Sequence, residues 1–243
     1  MRPSVAILCG GRGARLQEHT QSIPKPLVQV GGRPILWHVI SIHISQGFSD
    51  FVLLTGYRGD RIAAFVADSS WPADVRIRCV DTGEDTPTGG RLHQAAALLE
   101  RDRFCLAYAD AVADLDLGAL IDHHDQAGAT ATMTVVRPRL PFGVARLSAD
   151  GGQVDGFDEK PVSEHWINAG FFCLEPAVLT QLSERSVLER EPLSALAGSG
   201  RLSAYRHHGF WHCMDTYKDA VALNDLWDAD PAAAPWLAAA PVR

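Results

Sequence analysis

Apolar residues run unbroken over positions 5–9, the length of a strand buried on both faces, and the run stops at Gly10, Gly11 and Gly13. Over positions 34–46 the spacing changes to that of a helix. Leu36, Val39, Ile40 and Ile44 recur on one side behind Pro34 at a first helical position, and Gly47 follows the end. Positions 51–55 read as a short buried strand, 60–67 as a second helix and 75–80 as a third, alternating strand. The order strand, helix, strand, helix, strand implies an α/β fold whose sheet is mostly parallel, with right-handed crossovers.

Positions 81–90, rich in Thr, Gly and Asp, read as a loop, and 91–100 as a helix. A buried strand over 104–109 then delivers Asp110 at its carboxyl end. After an alternating strand at 130–136, positions 142–157 carry two short strands around Asp150-Gly151-Gly152, a hairpin signal, followed by Asp158-Glu159-Lys160-Pro161 and an apolar strand over 166–174. The last third predicts a helix near 193–197, a strand near 203–206, the segment from Gly209 to Thr216, and a helix over 216–227. The tail from Ala229 is Ala- and Pro-rich around a lone Trp236, a terminal arm or packing strip. We therefore expect one domain: a nucleotide-binding part (1–137), a small mixed-sheet insertion (138–175) and closing helices with a tail (176–243).

Composition narrows the class. With 243 residues and a formal charge of −7, the chain is an ordinary globular one, and a general nucleic-acid or anionic-membrane binder is disfavoured. No apolar run reaches spanning length and Met1-Arg2-Pro3 leads straight into a strand, so a cytoplasmic protein is expected. The cysteines, odd in number and scattered, suit core positions better than disulfides or zinc sites. Of 22 basic residues only Lys25, Lys160 and Lys218 are lysines, and the first two stand directly before prolines, as if those places needed a compact ammonium.

The glycine turn offers a row of backbone N–H groups suited to phosphate or a base, although alone it is equally consistent with a tight strand-to-helix connection. Arg15 and the braced Lys25 make it a polyphosphate cradle. It is neither a P-loop, whose lysine and hydroxyl are missing after Gly13, nor a dinucleotide fingerprint, for which Leu16 is too large and the acidic residue is absent near positions 30–32. The 81–90 loop would form a second wall, since loops at the carboxyl ends of parallel strands line the crevice. Asp110 facing a polyphosphate would repel it unless a divalent cation lay between them, a reading favoured over a plain loop carboxylate or helix cap. The histidines, His123-His124 and His207, His208 and His212, lack ligand spacing and read as satisfied surface or interface residues.

With these motifs in view, the sequence resembles the sugar nucleotidyltransferases, and most closely the glucose-1-phosphate cytidylyltransferase family. The likeness runs through Leu8-Cys9-Gly10-Gly11-Arg12-Gly13-Ala14-Arg15-Leu16, Pro24-Lys25-Pro26, Gly32-Arg33-Pro34-Ile35-Leu36-Trp37-His38, Val80-Asp81-Thr82-Gly83, Thr88-Gly89-Gly90-Arg91-Leu92, Asp110 with Val112-Ala113-Asp114, Phe157 to Pro161, and Gly209-Phe210-Trp211 with Met214-Asp215-Thr216. The resemblance implies a Rossmann-like α/β domain with a smaller sugar-binding subdomain. It also implies a Mg²⁺-dependent reaction in which a sugar 1-phosphate attacks the α-phosphorus of a nucleoside triphosphate and releases pyrophosphate.

Carried over residue by residue, the resemblance implies that Leu8, Gly10, Gly11, Gly13, Thr82, Gly89 and Gly90 hold the nucleotide, Arg15 and Lys25 the triphosphate, and Asp110 with Asp215 the magnesium. Lys160 would bind the sugar phosphate, with Gly143, Glu159 and Asn168 near sugar hydroxyls. CTP and glucose 1-phosphate are the expected substrates, with a heptose 1-phosphate and another nucleotide as the runner-up, and a homo-oligomer is expected. Ala14, Ala109 and Ala111 depart from the family pattern, and the 66–75 segment is shorter than in the cytidylyltransferases. A non-catalytic sugar-nucleotide-binding regulator is the reading of a different class; it would be expected to lose one of Lys25, Asp110, Lys160 or Asp215, and all four are present.

Overall fold

Strand β1 (Ser4–Leu8) lies inside a seven-stranded sheet, and its side chains alternate between two separate apolar layers. Val5 and Ile7 enter one layer, whereas Ala6 enters the other. The computed structural model describes residues 2–13, 23–99, 101–230 and 234–238. A 3₁₀ turn (Lys25–Leu27) and a two-residue hairpin, β2 (Gln29–Val30) with β3 (Arg33–Pro34), lead into helix α1 (Ile35–Ser45). Then come β4 (Asp50–Thr55), α2 (Gly59–Asp68), β5 (Arg76–Asp81), α3 (Thr88–Gln94), α4 (Ala96–Leu99) and β6 (Phe104–Tyr108). The expected strand and helix order holds over this half. The 81–90 loop reading is corrected at its end, because Thr88, Gly89 and Gly90 form the first turn of α3.

The second half adds β7 (Ala111–Ala113), α5 (Leu117–Ala127), β8 (Ala131–Val136), β9 (Val144–Leu147), β10 (Val154–Asp158) and β11 (Ile167–Leu174). A 3₁₀ segment (Pro176–Gln181), α6 (Glu191–Gly198), β12 (Leu202–Arg206), β13 (Trp211–Cys213), α7 (Tyr217–Ala229) and α8 (Pro235–Ala238) complete the chain. The strand order is β12-β8-β11-β6-β1-β4-β5, and only β11 runs antiparallel to its neighbours. Apolar residues of α1 and α5 cover one face of the sheet; those of α3, α4 and α6 cover the other. The insertion differs from a mixed sheet: β9 and β10 form a two-stranded antiparallel hairpin.

Helix α5 went unread in the sequence although its signals were there. Asp116 accepts a hydrogen bond from Ala119 N as a cap, and Gly128, at φ 56°, ends the helix. This helix also corrects the surface reading of His124. Its ring is buried at 1% exposure between Thr132 and Glu175, bonded to both. The tail is a packing strip where it is described: Trp236 is buried against Trp227 and Phe210, and its indole N–H donates to His38 Nδ1 at 3.1 Å. His38 Nε2 in turn bonds Val30 O, so this histidine is satisfied as a neutral ring.

His43, on the buried side of α1, has no such freedom to charge. It is stacked on Phe171 and its Nδ1 bonds Val39 O, and burial pushes its pKa down from 6.5 to about 4. A folded-state pKa below the unfolded one means stability that is complete above about pH 6.5 and is lost as the pH falls towards 4. We predict that urea unfolding shows wild type losing about 3 kcal/mol more than His43→Leu between pH 7 and the acid side of that window. Parallel pH profiles for the two proteins would contradict the assignment.

Candidate functional site

The carboxyl ends of β1 and β6 open on a cavity of about 500 Å³. Leu8, Gly10, Gly11 and Gly13 form one side, with Lys25 and Pro26 beside them, Thr86 to Thr88 and Arg91 opposite, and Tyr108, Asp110 and Asp215 at the end. Such a crevice lies where ligands bind in open α/β sheets. The wall from Gly10 to Gly13 is backbone-rich because the chain leaves β1 with Cys9 N donating to Leu54 O and Gly10 O accepting from Tyr57 N.

Three side chains far apart in sequence meet at its end. Lys25 Nζ lies 2.6 Å from Asp110 Oδ2 and 3.0 Å from Asp215 Oδ1. Each is held by local structure. Lys25 opens a 3₁₀ turn between two prolines, Asp110 occupies the gap between β6 and β7, and Asp215 precedes the capping box by which Thr216 and Asp219 start α7. Strand β13 pairs with β7, and Met214 N donates to Asp110 O, which brings the two aspartates together. Burial by itself would push the Lys25 pKa down, but the charge of Asp110 and its hydrogen bond hold it above the ordinary value, so it is a cation at neutral pH. Burial and Asp110 also push the neighbouring Cys213 thiol up to about 12, which leaves it neutral and unsuited to act as a nucleophile or metal ligand.

Arg91 was quoted in the motif without a role, and it has one. Its guanidinium is 4% exposed and donates to five acceptors: Thr55 O, Thr82 Oγ1 and Gly83 O from Nη1, Gly10 O and Glu84 O from Nη2. It thus ties the β1 turn, the end of β4 and the loop after β5 into one wall. A Cβ on Gly10 would sit 2.0 Å from this guanidinium and one on Gly56 2.5 Å from it, so both glycines are required by the cation's close approach. The signal for Arg91 was its place after Gly89-Gly90, one residue before the buried Leu92.

Seven of the expected residues line this cavity: Leu8, Gly10, Gly11, Gly13, Lys25, Asp110 and Asp215. Thr82 stands behind it, buried, donating to Thr55 O and accepting from Arg91. Gly89 and Gly90 do not line the cavity. Cβ atoms there would meet Ser186 at 2.8 Å and Glu184 O at 2.2 Å, so they let α3 pack against that segment. Arg15 lies outside the described residues.

The sugar-side candidates sit apart from the cavity, on the insertion and at the start of β11. Asn168 reaches Tyr108, donating from Nδ2 to its hydroxyl at 3.3 Å, and so touches the cavity wall. The Tyr108 hydroxyl also donates to Glu189, which accepts from Thr88 Oγ1, a network the sequence reading missed. Burial and the Glu189 charge raise the Tyr108 pKa, so it stays a phenol. Gly143 faces Phe157 and Glu159, where a Cβ would meet the ring at 2.2 Å and Oε2 at 2.9 Å. Lys160 has a left-handed backbone, φ 48°, uncommon outside glycine, and its half-exposed ammonium lies 3.8 Å from Glu159 Oε1.

Among the described residues no group of three or more His, Cys, Asp or Glu side chains is placed to hold a metal, and no helix is long and apolar enough to cross a membrane. The five cysteines are unpaired.

Comparison with known proteins agrees with this geometry. Residues 4–232 match the family model described as "Nucleotidyl transferase". A probable glucose-1-phosphate cytidylyltransferase of Bacillus subtilis is 39% identical over 91% of this chain and 95% of its own length. The glucose-1-phosphate cytidylyltransferase of Salmonella typhi is 40% identical over 95% of this chain and 97% of its own. Among solved structures, HddC from Yersinia pseudotuberculosis, crystallised in complex with GMP-PN, superposes with a TM-score of 0.74 at 21% identity, covering 92% of this chain and 99% of that one; at that identity the likeness is one of fold. The chain belongs to the nucleotidyl transferase family.

Proposed function

We propose that the protein transfers a cytidylyl group from CTP to glucose 1-phosphate, giving CDP-glucose and pyrophosphate. The observation that carries the chemistry is the meeting of Lys25, Asp110 and Asp215 in the wall of a glycine-lined cavity. The relatives at 39–40% identity, similar along nearly their whole length, support the substrate pair.

Lys25, Arg91, Asp110 and Asp215 together carry no net charge, so a triphosphate brought among them needs further positive charge. The donor set fits a hard divalent cation. Asp110 and Asp215 keep 25% and 33% of their side chains exposed towards the cavity, and Mg²⁺ is commonly held by one or two carboxylates with substrate phosphates and water completing its shell. Bound there by Asp110 and Asp215, Mg²⁺ would supply charge neutralisation at the phosphates. The chain's own groups do the rest by alignment. Lys25 lies against the phosphates, the N–H groups of the glycine turn and the wall held by Arg91 fix base and ribose, and Lys160 with Glu159 and Asn168 orients the sugar phosphate. No covalent intermediate is required, since the sugar phosphate oxygen is the nucleophile and pyrophosphate leaves.

Three outcomes test this reading. Pyrophosphate release from CTP and glucose 1-phosphate should stop in chelator and return with Mg²⁺, and Asp110→Asn or Asp215→Asn should each lower turnover by orders of magnitude with circular dichroism unchanged. Full activity in chelator would remove the metal from the mechanism.

Lys25→Ala should depress kcat at saturating substrates, because it also leaves two carboxylates facing each other. Lys160→Ala should instead raise the KM for glucose 1-phosphate, by about tenfold to a hundredfold, the worth of one charge-assisted phosphate contact. Identical behaviour of the two variants towards both substrates would refute the division.

CTP should exceed UTP in kcat/KM by about one to two powers of ten, the range one polar contact to the base edge provides. A value for GTP or ATP above that for CTP would leave nucleotidyl transfer standing and overturn the choice of base.

A further inference from the structure

The opposite edge of the same sheet carries a second, larger hollow. The first residues of four neighbouring parallel strands, Ser4 of β1, Asp50 of β4, Arg76 of β5 and Phe104 of β6, line a groove of about 770 Å³, closed by α4 and the turn after it. Five arginines face it: Arg2, Arg76, Arg78, Arg101 and Arg103. In a chain of net charge −7 that is a local excess of positive charge.

The built-in counter-charges are largely engaged within the wall. Asp50 accepts from Ser4 Oγ at 2.6 Å and from Arg78 Nη2 at 2.9 and 3.0 Å, which fixes Arg78 as part of the floor. Arg103 is paired with Asp125 and Glu175. Arg2 donates to Gln46 O and lies over the Phe48 ring, with no ion-pair partner among the described residues. Arg76 and Arg101 are exposed and have no ion-pair partner among the described residues. Among the described residues, the lining sets against these three guanidinium groups the exposed carboxylate of Asp102.

We propose that this groove binds a small molecule carrying a diphosphate. Guanidinium groups match phosphate oxygens in pairs, and three of them spread along one groove exceed what a single phosphate needs. Leu98, 40% exposed, adds apolar surface on which a base or sugar can lie. The volume suits a ligand of nucleotide size. The groove is separate from the catalytic cavity: Ser4 lines one and Leu8 the other, roughly 13 Å apart along β1 at the usual rise per residue.

The inference is independent of the substrate reading, and its test locates binding directly. Hydrogen–deuterium exchange of the full chain is measured with inorganic pyrophosphate and, separately, with CDP, in wild type and in the double variant Arg76→Ala, Arg101→Ala. These two exposed side chains have no ion-pair partner among the described residues, so the variant should fold.

Protection is expected at residues 74–78 and 98–104, over and above any at the glycine turn. In the double variant the edge protection should need about tenfold or more of the probe, while protection around residues 10–13 stays as in wild type. Protection by CDP alone would assign the groove to a nucleotide, and protection by both probes to any diphosphate. No edge protection by either probe, or protection unchanged in the variant, would overturn the proposal. So would a change in sedimentation coefficient of the ligand-free variant, which would show that the arginines hold a second copy of the chain.

Discussion

A buried guanidinium that has no carboxylate partner among the described residues sets the terms for the rest of this structure. Arg91 sits at 4% exposure, where a charge is costly unless every donor is used, and burial lowers its pKa accordingly. The cost is offset by backbone carbonyls that must all be in place at once, from the β1 turn, the end of β4 and the loop after β5. Fold and cavity are therefore coupled. The loop that walls the nucleotide side cannot drift without stranding a buried cation, and Gly10 and Gly56 must lack side chains to admit it. The glycine turn suggests exposed N–H donors for a ligand, and its first glycine also makes room for an arginine.

The same sheet presents two unlike edges. At the carboxyl edge, the strand ends deliver Asp110, and the β7–β13 pairing brings in Asp215, so two carboxylates are held close by a single ammonium. That arrangement carries one net negative charge, is partly exposed, and can be rearranged by a polyphosphate with its counter-ion. At the amino edge the carboxylate of Asp50 is consumed by Arg78 and Ser4, and guanidinium charge is left over. Both edges are joined by β1 and β6, whose residues are buried along their middles. On the two readings proposed above, rigid strands with unlike ends would keep two anion sites apart on one frame.

Much of this was legible in the sequence, for identifiable reasons. Buried parallel strands give unbroken apolar runs, so β1, β4 and β6 were read within a residue or so of their observed ends. The glycine turn, Lys25 between prolines and Asp110 after an apolar run each carry a local signature, and the cavity unites them with Asp215, which only the family likeness supplied. The failures share a cause. Arg91, the Tyr108–Glu189 pair and the reason for Gly89 and Gly90 all depend on contacts between distant segments, which local spacing does not encode. Helix α5 is a different case, for its cap and its terminating glycine were present and overlooked. The arginine-lined groove was foreshadowed only by the preference for arginine over lysine, which says nothing of where the charges gather.

The sugar-side insertion is built on another principle. A two-stranded hairpin has little stability of its own, and here Leu147, Val154 and Phe157 on it, with Phe142 just before it, are all about 60% exposed. What fixes it is its base. The chain leaving β8 and the chain returning to β11 are clamped by Leu140 N to Pro161 O, Ser163 N to Pro138 O and Arg137 to Ser163 O, with a bridge between Arg139 and Val162. Lys160 lies one residue before this clamp, and its left-handed backbone is a cost of roughly 1–3 kcal/mol that the clamp must overcome. A residue forced into that conformation beside a fixed proline has its side-chain origin set by the clamp and not by the exposed strands. On the proposed reading, the phosphate-binding lysine would thus be positioned by the rigid part of the insertion, while the hairpin beyond it supplies surface for a sugar.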